Sequence, residues 1–200
     1  MPLSSPIAMP RWEWRSIATS LPELRQRLSG VRIETVREIH ETYLLCLKSS
    51  HNAKIRNGIL DLKWRIQVNT QGLELWNPVL RTDFPMEPVH LSDLFGAWSL
   101  PLPVLGRVGY SQEQFLQEIV APHPELRAVE VQKIREGFLL DGTTCEFAIV
   151  AAGGLRLESF CVEHEDPGLV MNVLSDLGLN SRQNTNYPKA LKLALAQRVA

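Results

Sequence analysis

The chain has 200 residues and a hydrophobic fraction of 44%, and its 21 Lys and Arg against 22 Asp and Glu give a formal net charge of -1. This balance argues against an extended nucleic-acid surface, which would need a clear excess of basic residues. No apolar run approaches the roughly 18 residues that a membrane helix requires, and the N-terminus lacks a signal-peptide pattern, so we expect a cytoplasmic protein with no membrane partner.

The three cysteines, Cys46, Cys145 and Cys161, are widely spaced and lie in apolar, strand-like surroundings. An odd number at this spacing is not typical of a disulfide framework or of a metal cluster. Free cysteine is among the residue types that are most often buried in folded proteins. We therefore expect three buried thiols.

The N-terminal part of the chain predicts a strand followed by a short helix. Residues 1–10 are rich in Pro and Ser and are expected to be disordered, whereas residues 11–200 are expected to form one domain. A strand is predicted over Arg11–Ile17. A helix is predicted over Pro22–Leu28, where leucines recur at helical spacing after a proline in the first turn. A weaker strand signal follows at Arg32–Val36.

The segment Asn52–Arg65 predicts a β-hairpin. Its centre is Asn57-Gly58, a pair that suits a type I′ turn because both central positions of that turn need a positive φ. A β-prone run, Glu41–Leu47, precedes the hairpin, and another strand is predicted over Leu73–Pro78. Each arm of the hairpin carries two cations at i, i+2 positions, which share one face of a strand. These cations are Lys54 and Arg56 on the first arm and Lys63 and Arg65 on the second.

The segment from 78 to 125 is rich in proline and differs in composition from the strands on either side of it. Within it, only Gln112–Val120 has a helical pattern of apolar residues. We expect this segment to be an insertion between two strands of the sheet. Loops of this kind often carry function, so it is also a candidate binding surface.

The C-terminal part predicts several strands and then two helices. The helices are expected at Gly168–Leu177, which Gly178 ends, and at Pro188–Val199. A total of about eight strands, with helices near both ends of the chain, indicates the α+β class built around an antiparallel sheet. The strands predicted in this part are Ala128–Arg135, Gly137–Leu140, Thr144–Val150 and Leu155–Glu165.

Charged residues recur at i, i+2 positions in five of the predicted strands. The sets are Arg11, Glu13 and Arg15; Lys54 and Arg56; Lys63 and Arg65; Lys133 and Arg135; and Glu163 and Glu165. The simplest interpretation is a solvated outer face with cross-strand pairs of roughly 0.2–1 kcal/mol each. The alternate positions are bulky and apolar, however. They also fit a barrel whose apolar side packs outward against helices and whose charged side lines a lumen.

The barrel interpretation predicts both a ligand and a metal. Cations that share a lumen repel one another unless an anion or carboxylates neutralise them, so the expected ligand is a highly charged anion. Glu163 and Glu165, joined by Glu13, would supply oxygen ligands that suit Mg²⁺ or Mn²⁺, which usually bind through a few carboxylates together with substrate phosphate oxygens. Cations that hold phosphates beside such a metal are what phosphoryl transfer requires.

The order of these motifs resembles the CYTH-like superfamily, also called the triphosphate tunnel metalloenzymes. The family begins with a strand bearing E-x-E-x-K, and the nearest match here is Arg11-Trp12-Glu13-Trp14-Arg15. The later matches are Pro22–Leu28, Glu41-Thr42-Tyr43-Leu44, Lys54-Ile55-Arg56, Lys63-Trp64-Arg65, Glu74, Lys133-Ile134-Arg135, Glu146, Glu163-His164-Glu165, Leu177-Gly178-Leu179 and Asn186-Tyr187-Pro188. The resemblance covers most of the chain outside residues 78–125, and it lies in the order of the motifs.

The resemblance implies an antiparallel eight-stranded β-barrel that binds a triphosphate, a polyphosphate or a nucleotide-like anion inside. The family includes thiamine, inorganic and RNA triphosphatases and class IV adenylyl cyclases, and its enzymes use Mg²⁺ or Mn²⁺. The implied metal ligands are Glu13, Glu163 and Glu165, and the implied catalytic residues are Glu163, Glu165 and Lys63. The implied phosphate-binding residues are Arg15, Lys54, Arg56, Lys63, Arg65, Lys133 and Arg135.

The first strand departs from the family pattern at two positions. Arg11 stands where the family has a carboxylate, and Arg15 stands where it has a lysine. An arginine is always charged and binds phosphate as a planar fork, so it cannot act as a base. The departures therefore imply a metal site with one ligand fewer than the family pattern provides.

Three functions are compatible with the sequence. The first is a metal-dependent phosphohydrolase that acts on a triphosphate or polyphosphate. The second is a non-catalytic relative that only binds such an anion, because Arg11 replaces a metal ligand with a cation. The third is an interaction protein that uses the segment 78–125 as its working surface. The oligomeric state stays open, and a homodimer is compatible with the sequence.

Overall fold

The computed structural model describes residues 9–199, and its central element is a closed antiparallel β-barrel of eight strands. Around the barrel the strands follow the order β1-β5-β4-β3-β2-β6-β7-β8. Their bounds are β1 (Arg11–Ala18), β2 (Thr35–Cys46), β3 (Asn52–Arg56), β4 (Ile59–Val68), β5 (Glu74–Asp83), β6 (Leu126–Leu140), β7 (Thr143–Ala152) and β8 (Leu155–His164). The predicted α+β class and eight-stranded antiparallel barrel are confirmed. The disorder predicted for residues 1–10 falls outside the described residues, except at Met9 and Pro10.

Helices accompany the barrel in the described part of the chain. Their bounds are α1 (Pro22–Arg27), α2 (Pro88–Ala97), α3 (Gln112–Gln114, continued by a π-helical turn over Phe115–Val120), α4 (Pro167–Asp176) and α5 (Tyr187–Val199). No helix among residues 9–199 is long and apolar enough to cross a membrane. The three cysteines are free and buried, as predicted.

Two apolar clusters cover the outside of the barrel. In the first, the outward side chains of β3 and β4, such as Ile55 and Leu62, pack against Leu91 and Phe95 of α2. In the second, Trp14, Phe147 and Phe160 of β1, β7 and β8 pack against α1 and α4. The bulky apolar positions that alternate with the charged ones therefore point outward, as the barrel interpretation predicts.

A third apolar cluster fills one end of the barrel interior. It consists of inward side chains of β2, β6 and β7 and of residues from the first turns of α5. Tyr43 of β2 and Tyr187 of α5 lie in this cluster with their ring centroids 5.6 Å apart. The lumen is therefore apolar and filled at one end, and its charged residues lie toward the other end.

The hairpin has the predicted turn, with φ of 52° at Asn57 and 71° at Gly58.

Strands β2 and β6 were each predicted as two shorter strands. The signals at Arg32–Val36 and Glu41–Leu47 fall on the single strand β2, and those on either side of Glu136 fall on β6. Pairing of β2 with β6 over twelve residues keeps both strands continuous through these weak positions.

The prediction that only Gln112–Val120 is helical within the segment 78–125 was wrong. This segment also contains α2, and its first residues belong to β5, which extends to Asp83. Helix α2 begins at Pro88, which fits the first turn because that position needs no N–H donor. Its buried positions include Leu91, Leu94 and Phe95, and a short helix that is mostly apolar gives a weak periodic signal.

Two variants of α2 measure how much its packing on the barrel contributes to the free energy of unfolding. Leu91 is fully buried and Val89 is 56% exposed. We expect Leu91→Ala to lower the free energy of unfolding by about 2–5 kcal/mol because it removes buried methyl groups and leaves a cavity. Val89→Ala should change this free energy by less than about 0.5 kcal/mol. Urea denaturation followed by circular dichroism measures both, and equal effects would contradict this packing.

Candidate functional site

The charged part of the lumen is a cavity of about 1010 Å³. Eight Lys and Arg residues and four Asp and Glu residues line it, which gives an excess of four positive charges on the wall. The basic residues are Arg15, Arg37, Lys54, Arg56, Lys63, Arg81, Lys133 and Arg135, and the acidic ones are Glu13, Asp61, Glu146 and Glu163. The cavity is therefore suited to an anionic ligand.

Most of the residues predicted for the site line this cavity. They are Glu13, Arg15, Lys54, Arg56, Lys63, Lys133, Arg135 and Glu163. Arg65 is not part of the lining, and its guanidinium lies 2.8 Å from the carboxylate of Glu74. Glu165 follows the last residue of β8 and is exposed. Strand alternation therefore places the pairs Lys54/Arg56 and Lys133/Arg135 on the wall. It does not predict the direction of Glu165, because that residue lies beyond the end of β8.

Several lining residues were not predicted. Asp61 lies two residues before Lys63 on the same face of β4, so alternation alone would have found it. Arg81 lies on β5 beyond the predicted strand end at Pro78, and Arg37 lies where the strand signal was weak. Tyr187 follows no charge pattern, because it enters the lumen from the start of a helix. Correct strand ends would have identified Arg37 and Arg81.

Glu41 is the centre of the charge arrangement. Its carboxylate is fully buried and accepts hydrogen bonds from the Nζ atoms of Lys54, at 2.6 Å, and Lys133, at 2.7 Å. The guanidinium of Arg56 lies 3.5 Å away. Burial alone would raise the pKa of Glu41, but the charges of Lys54 and Lys133 outweigh it and lower that pKa to about 2. Glu41 is therefore an anion that holds cations of two neighbouring strands.

Lys133 is held between aromatic rings as well as by Glu41. Its Nζ atom donates to the hydroxyl of Tyr43 at 2.7 Å and lies 3.7 Å from the ring centroid of Tyr187. Burial and the charge of Lys54 lower the pKa of Lys133 well below its ordinary value, against the opposing effect of Glu41. An anion bound nearby would favour the protonated ammonium of Lys133.

Arg15 is fixed in place by partners on several sides. Its Nε donates to Glu13 at 3.0 Å, its Nη1 donates to the hydroxyl of Ser159 at 3.0 Å, and its guanidinium lies 4.5 Å from the ring centroid of Tyr187. Burial would raise the pKa of Glu13, but the charges of Arg15 and Lys63 outweigh it, and the net shift is downward. Glu13 is therefore ionised beside two cations.

The segment Asn184–Tyr187 closes the apolar end of the cavity. The Asn184 side chain accepts a hydrogen bond from the backbone N–H of Arg15 at 2.8 Å and donates to the carbonyl of Gly72 at 2.7 Å. The Asn186 amide donates to both carboxylate oxygens of Glu74, at 2.9 and 3.0 Å. These bonds tie the segment to β1 and β5, so it forms the floor of the cavity.

Two solved structures share this architecture. A candidate adenylate cyclase from Bacillus halodurans is 11% identical, covers 89% of this chain and 95% of its own, and has a TM-score of 0.54. A candidate adenylyl cyclase from Hippeastrum with a dominant triphosphatase activity is 14% identical, covers 93% and 96%, and has a TM-score of 0.50. No family model and no curated protein matches the sequence.

The chain has the CYTH-like tunnel fold. The closed eight-stranded antiparallel barrel and the two similar structures confirm the fold that the order of the motifs predicts. At identities of 11% and 14%, the likeness concerns the fold alone. The chemistry of the site has to be judged from the residues of this chain.

The metal site expected for a CYTH-like tunnel is incomplete. Glu13 and Glu163 are directly opposite each other on β1 and β8, but Glu165 lies outside the cavity lining. Arg11, at the position of the family carboxylate, lies 3.5 Å from Glu163. Among residues 9–199, no three His, Cys, Asp or Glu side chains are grouped to hold a metal ion. The three predicted ligands therefore do not form a site by themselves.

Each acidic residue that lines the cavity lies beside a cation that neutralises it. Glu13 pairs with Arg15, and Glu163 pairs with Arg11. Asp61 lies 2.9 Å from Arg81, and Glu146 forms an ion pair with Arg135. Within the part of the chain that the structure describes, Lys63 and Arg37 are the lining cations without a carboxylate oxygen inside 4.0 Å. These two side chains are free to bind an anionic ligand.

The cluster around Glu41 predicts a pH-dependent stability. We expect Glu41→Gln to lower the free energy of unfolding at pH 7 by about 3–5 kcal/mol, because it leaves buried lysines uncompensated. The pKa of Glu41 is lowered from 4.5 to about 2 in the folded protein, so its stabilisation is full above pH 4.5 and is lost as the pH falls toward about 2.

Urea denaturation at a series of pH values tests this expectation. The difference between the natural protein and Glu41→Gln should shrink as the pH falls below 4.5. The control is Glu38→Gln on the same strand, because the side chain of Glu38 is 71% exposed. A difference that does not vary between pH 7 and acid would contradict the ionised, buried Glu41.

Proposed function

We propose that the tunnel binds the phosphates of a triphosphate or polyphosphate anion. The observation that carries the proposal is the charge of the wall, where eight cations face four lining carboxylates and the buried Glu41, and where Lys63 has no carboxylate partner within the described residues. A cavity of about 1010 Å³ is large enough for such an anion. With Glu41 counted, three positive charges stay unbalanced, and an anion that carries several negative charges would neutralise them.

The cations of the tunnel have different roles in this proposal. Lys63 contacts the phosphates directly, because its side chain lines the cavity, is only partly buried and has no carboxylate partner within the described residues. Lys54 and Lys133 are held by Glu41 and contribute mainly through their charge. Charge-assisted hydrogen bonds between these cations and phosphate oxygens are short and strong. Salt screens the charges of the cations that are partly exposed. The affinity should therefore fall as the ionic strength rises.

A similar structure adds support for the ligand class. The Hippeastrum protein has a dominant triphosphatase activity and shares the tunnel fold over 93% of this chain. A fold in common does not fix a function, so this support is secondary to the charge of the wall.

Titration calorimetry with tripolyphosphate tests the proposal. We expect Lys63→Gln to weaken binding about tenfold or more, because a hydrogen bond to a charged group contributes roughly 1.5–3 kcal/mol. Lys48→Gln is the matched control, since the Lys48 side chain is 63% exposed and pairs with Glu125 outside the cavity. Absence of tripolyphosphate binding by the natural protein, at low salt and without metal, would refute the proposal.

Metal-dependent hydrolysis of the bound anion is a second candidate function. It is favoured by the direct opposition of Glu13 and Glu163, both on the cavity wall. Mg²⁺ is commonly held by one or two carboxylates together with substrate phosphates, so two carboxylates fit a metal that arrives with the ligand. Such a metal would neutralise phosphate charge and polarise the bond that breaks. Lys63 and Arg56 would hold the phosphates in position.

Phosphate release from tripolyphosphate, with and without Mg²⁺ or Mn²⁺, tests the second candidate. We expect Glu163→Gln to abolish metal-dependent release and to leave tripolyphosphate binding unchanged or tighter, because one negative charge beside the phosphates is removed. Arg11→Glu should raise the release rate, because it adds an oxygen ligand. If the natural protein binds tripolyphosphate and releases no phosphate, hydrolysis is excluded and the binding function stands.

A further inference from the structure

The barrel wall is shorter at the β3–β4 hairpin than at the neighbouring strands β2 and β6. Strand β2 pairs with β6 along its whole length, from Thr35 to Cys46, but it pairs with β3 only over Thr42–Leu44. The first seven residues of β2 therefore have no strand partner on their second edge within the described residues. The β2–β6 wall continues past the turn at Asn57-Gly58, and beyond that turn no strand lies beside β2 on this edge within the described residues. We call this gap in the wall the side opening.

Arg37 lies on this extended wall, directly opposite Arg135 of β6. Both residues line the cavity. Like charges that face each other on neighbouring strands are destabilising. Arg135 is neutralised by Glu146, whereas Arg37 has no carboxylate oxygen within 4.0 Å in the described part of the chain. The pair therefore carries an uncompensated positive charge that a bound anion would neutralise.

The residues next to this pair favour an anion as well. Thr35 is opposite Gly137, and both line the cavity. A Cβ atom on Gly137 would lie 2.5 Å from the hydroxyl oxygen of Thr35, so glycine leaves room for that hydroxyl on the wall. The hydroxyl is a further donor. The acidic neighbours Glu38 and Glu136 alternate with the arginines along their strands and point to the opposite face.

We propose that Arg37 and Arg135 form a second anion-binding position at the side opening, which holds the phosphates of an inorganic polyphosphate beyond the first three. This inference rests on the proposed function of the tunnel. Arg37 is four residues from Glu41 along β2, which corresponds to about 13 Å at roughly 3.3 Å per residue. A ligand whose first phosphates lie beside the lysines held by Glu41 reaches Arg37 only if it continues as a longer chain.

Calorimetry with the full chain and three ligands tests the inference. The ligands are tripolyphosphate, ATP and an inorganic polyphosphate of defined greater length. We expect Arg37→Gln to weaken binding of the longer polyphosphate about tenfold, as for the loss of one charged hydrogen-bonding group, and to change tripolyphosphate affinity by less than about twofold. The ATP affinity should also be unaffected, because the part of ATP beyond its three phosphates is an uncharged nucleoside that Arg37 would not bind.

The control is Arg156→Gln, which removes an exposed arginine of β8 that does not line the cavity and should affect none of the three ligands. Equal losses for all ligands would place Arg37 in the inner site and overturn the inference, as would no loss for the longer polyphosphate. A loss as large for ATP would overturn the polyphosphate assignment. In each of these cases the proposed function survives if the natural protein binds tripolyphosphate, whereas absence of all binding refutes both.

Discussion

The buried carboxylate of Glu41 is the interaction on which the charged tunnel depends. Strand β2 lies between β3 and β6, and Glu41 reaches across both neighbours to Lys54 and Lys133. A buried ion pair adds little net stability compared with apolar packing, but the loss of one partner is costly. Its larger effect is on register, because a shift of one residue would turn Glu41 to the outer face and leave the lysines unpaired. The cluster therefore selects one alignment of three strands.

Much of the fold could be predicted because strand alternation is a strict geometric rule. Lys54 and Arg56 share a face with a period of two, and the apolar residues between them require packing on the other face. Asn57-Gly58 identified the hairpin because few other pairs adopt two positive φ values. The order of such signals along the chain was sufficient to predict the eight-stranded barrel. The helix α2 was missed because its buried residues are not separated by a regular polar face.

The site could be predicted only in part, since charge pairing depends on neighbours that are distant in sequence. Glu165 follows the pattern of Glu163 but lies beyond the end of β8, where alternation no longer fixes its direction. Glu41 begins the matched segment Glu41–Leu44, but that match did not assign it a role, which comes from the cations of β3 and β6 on either side. Arg37 required the true start of β2. Sequence periodicity assigns a face, whereas strand ends and strand order decide which charges meet.

The floor formed by Asn184–Tyr187 makes the tunnel a blind one. The amide of Asn186 and the ring of Tyr187 occupy the end where a through-going chain would have to leave. A chain-like anion can therefore reach the inner lysines only with a terminus leading, and its interior segments cannot be enclosed. A chain-like anion that binds as proposed would therefore be held by its end and not by its middle.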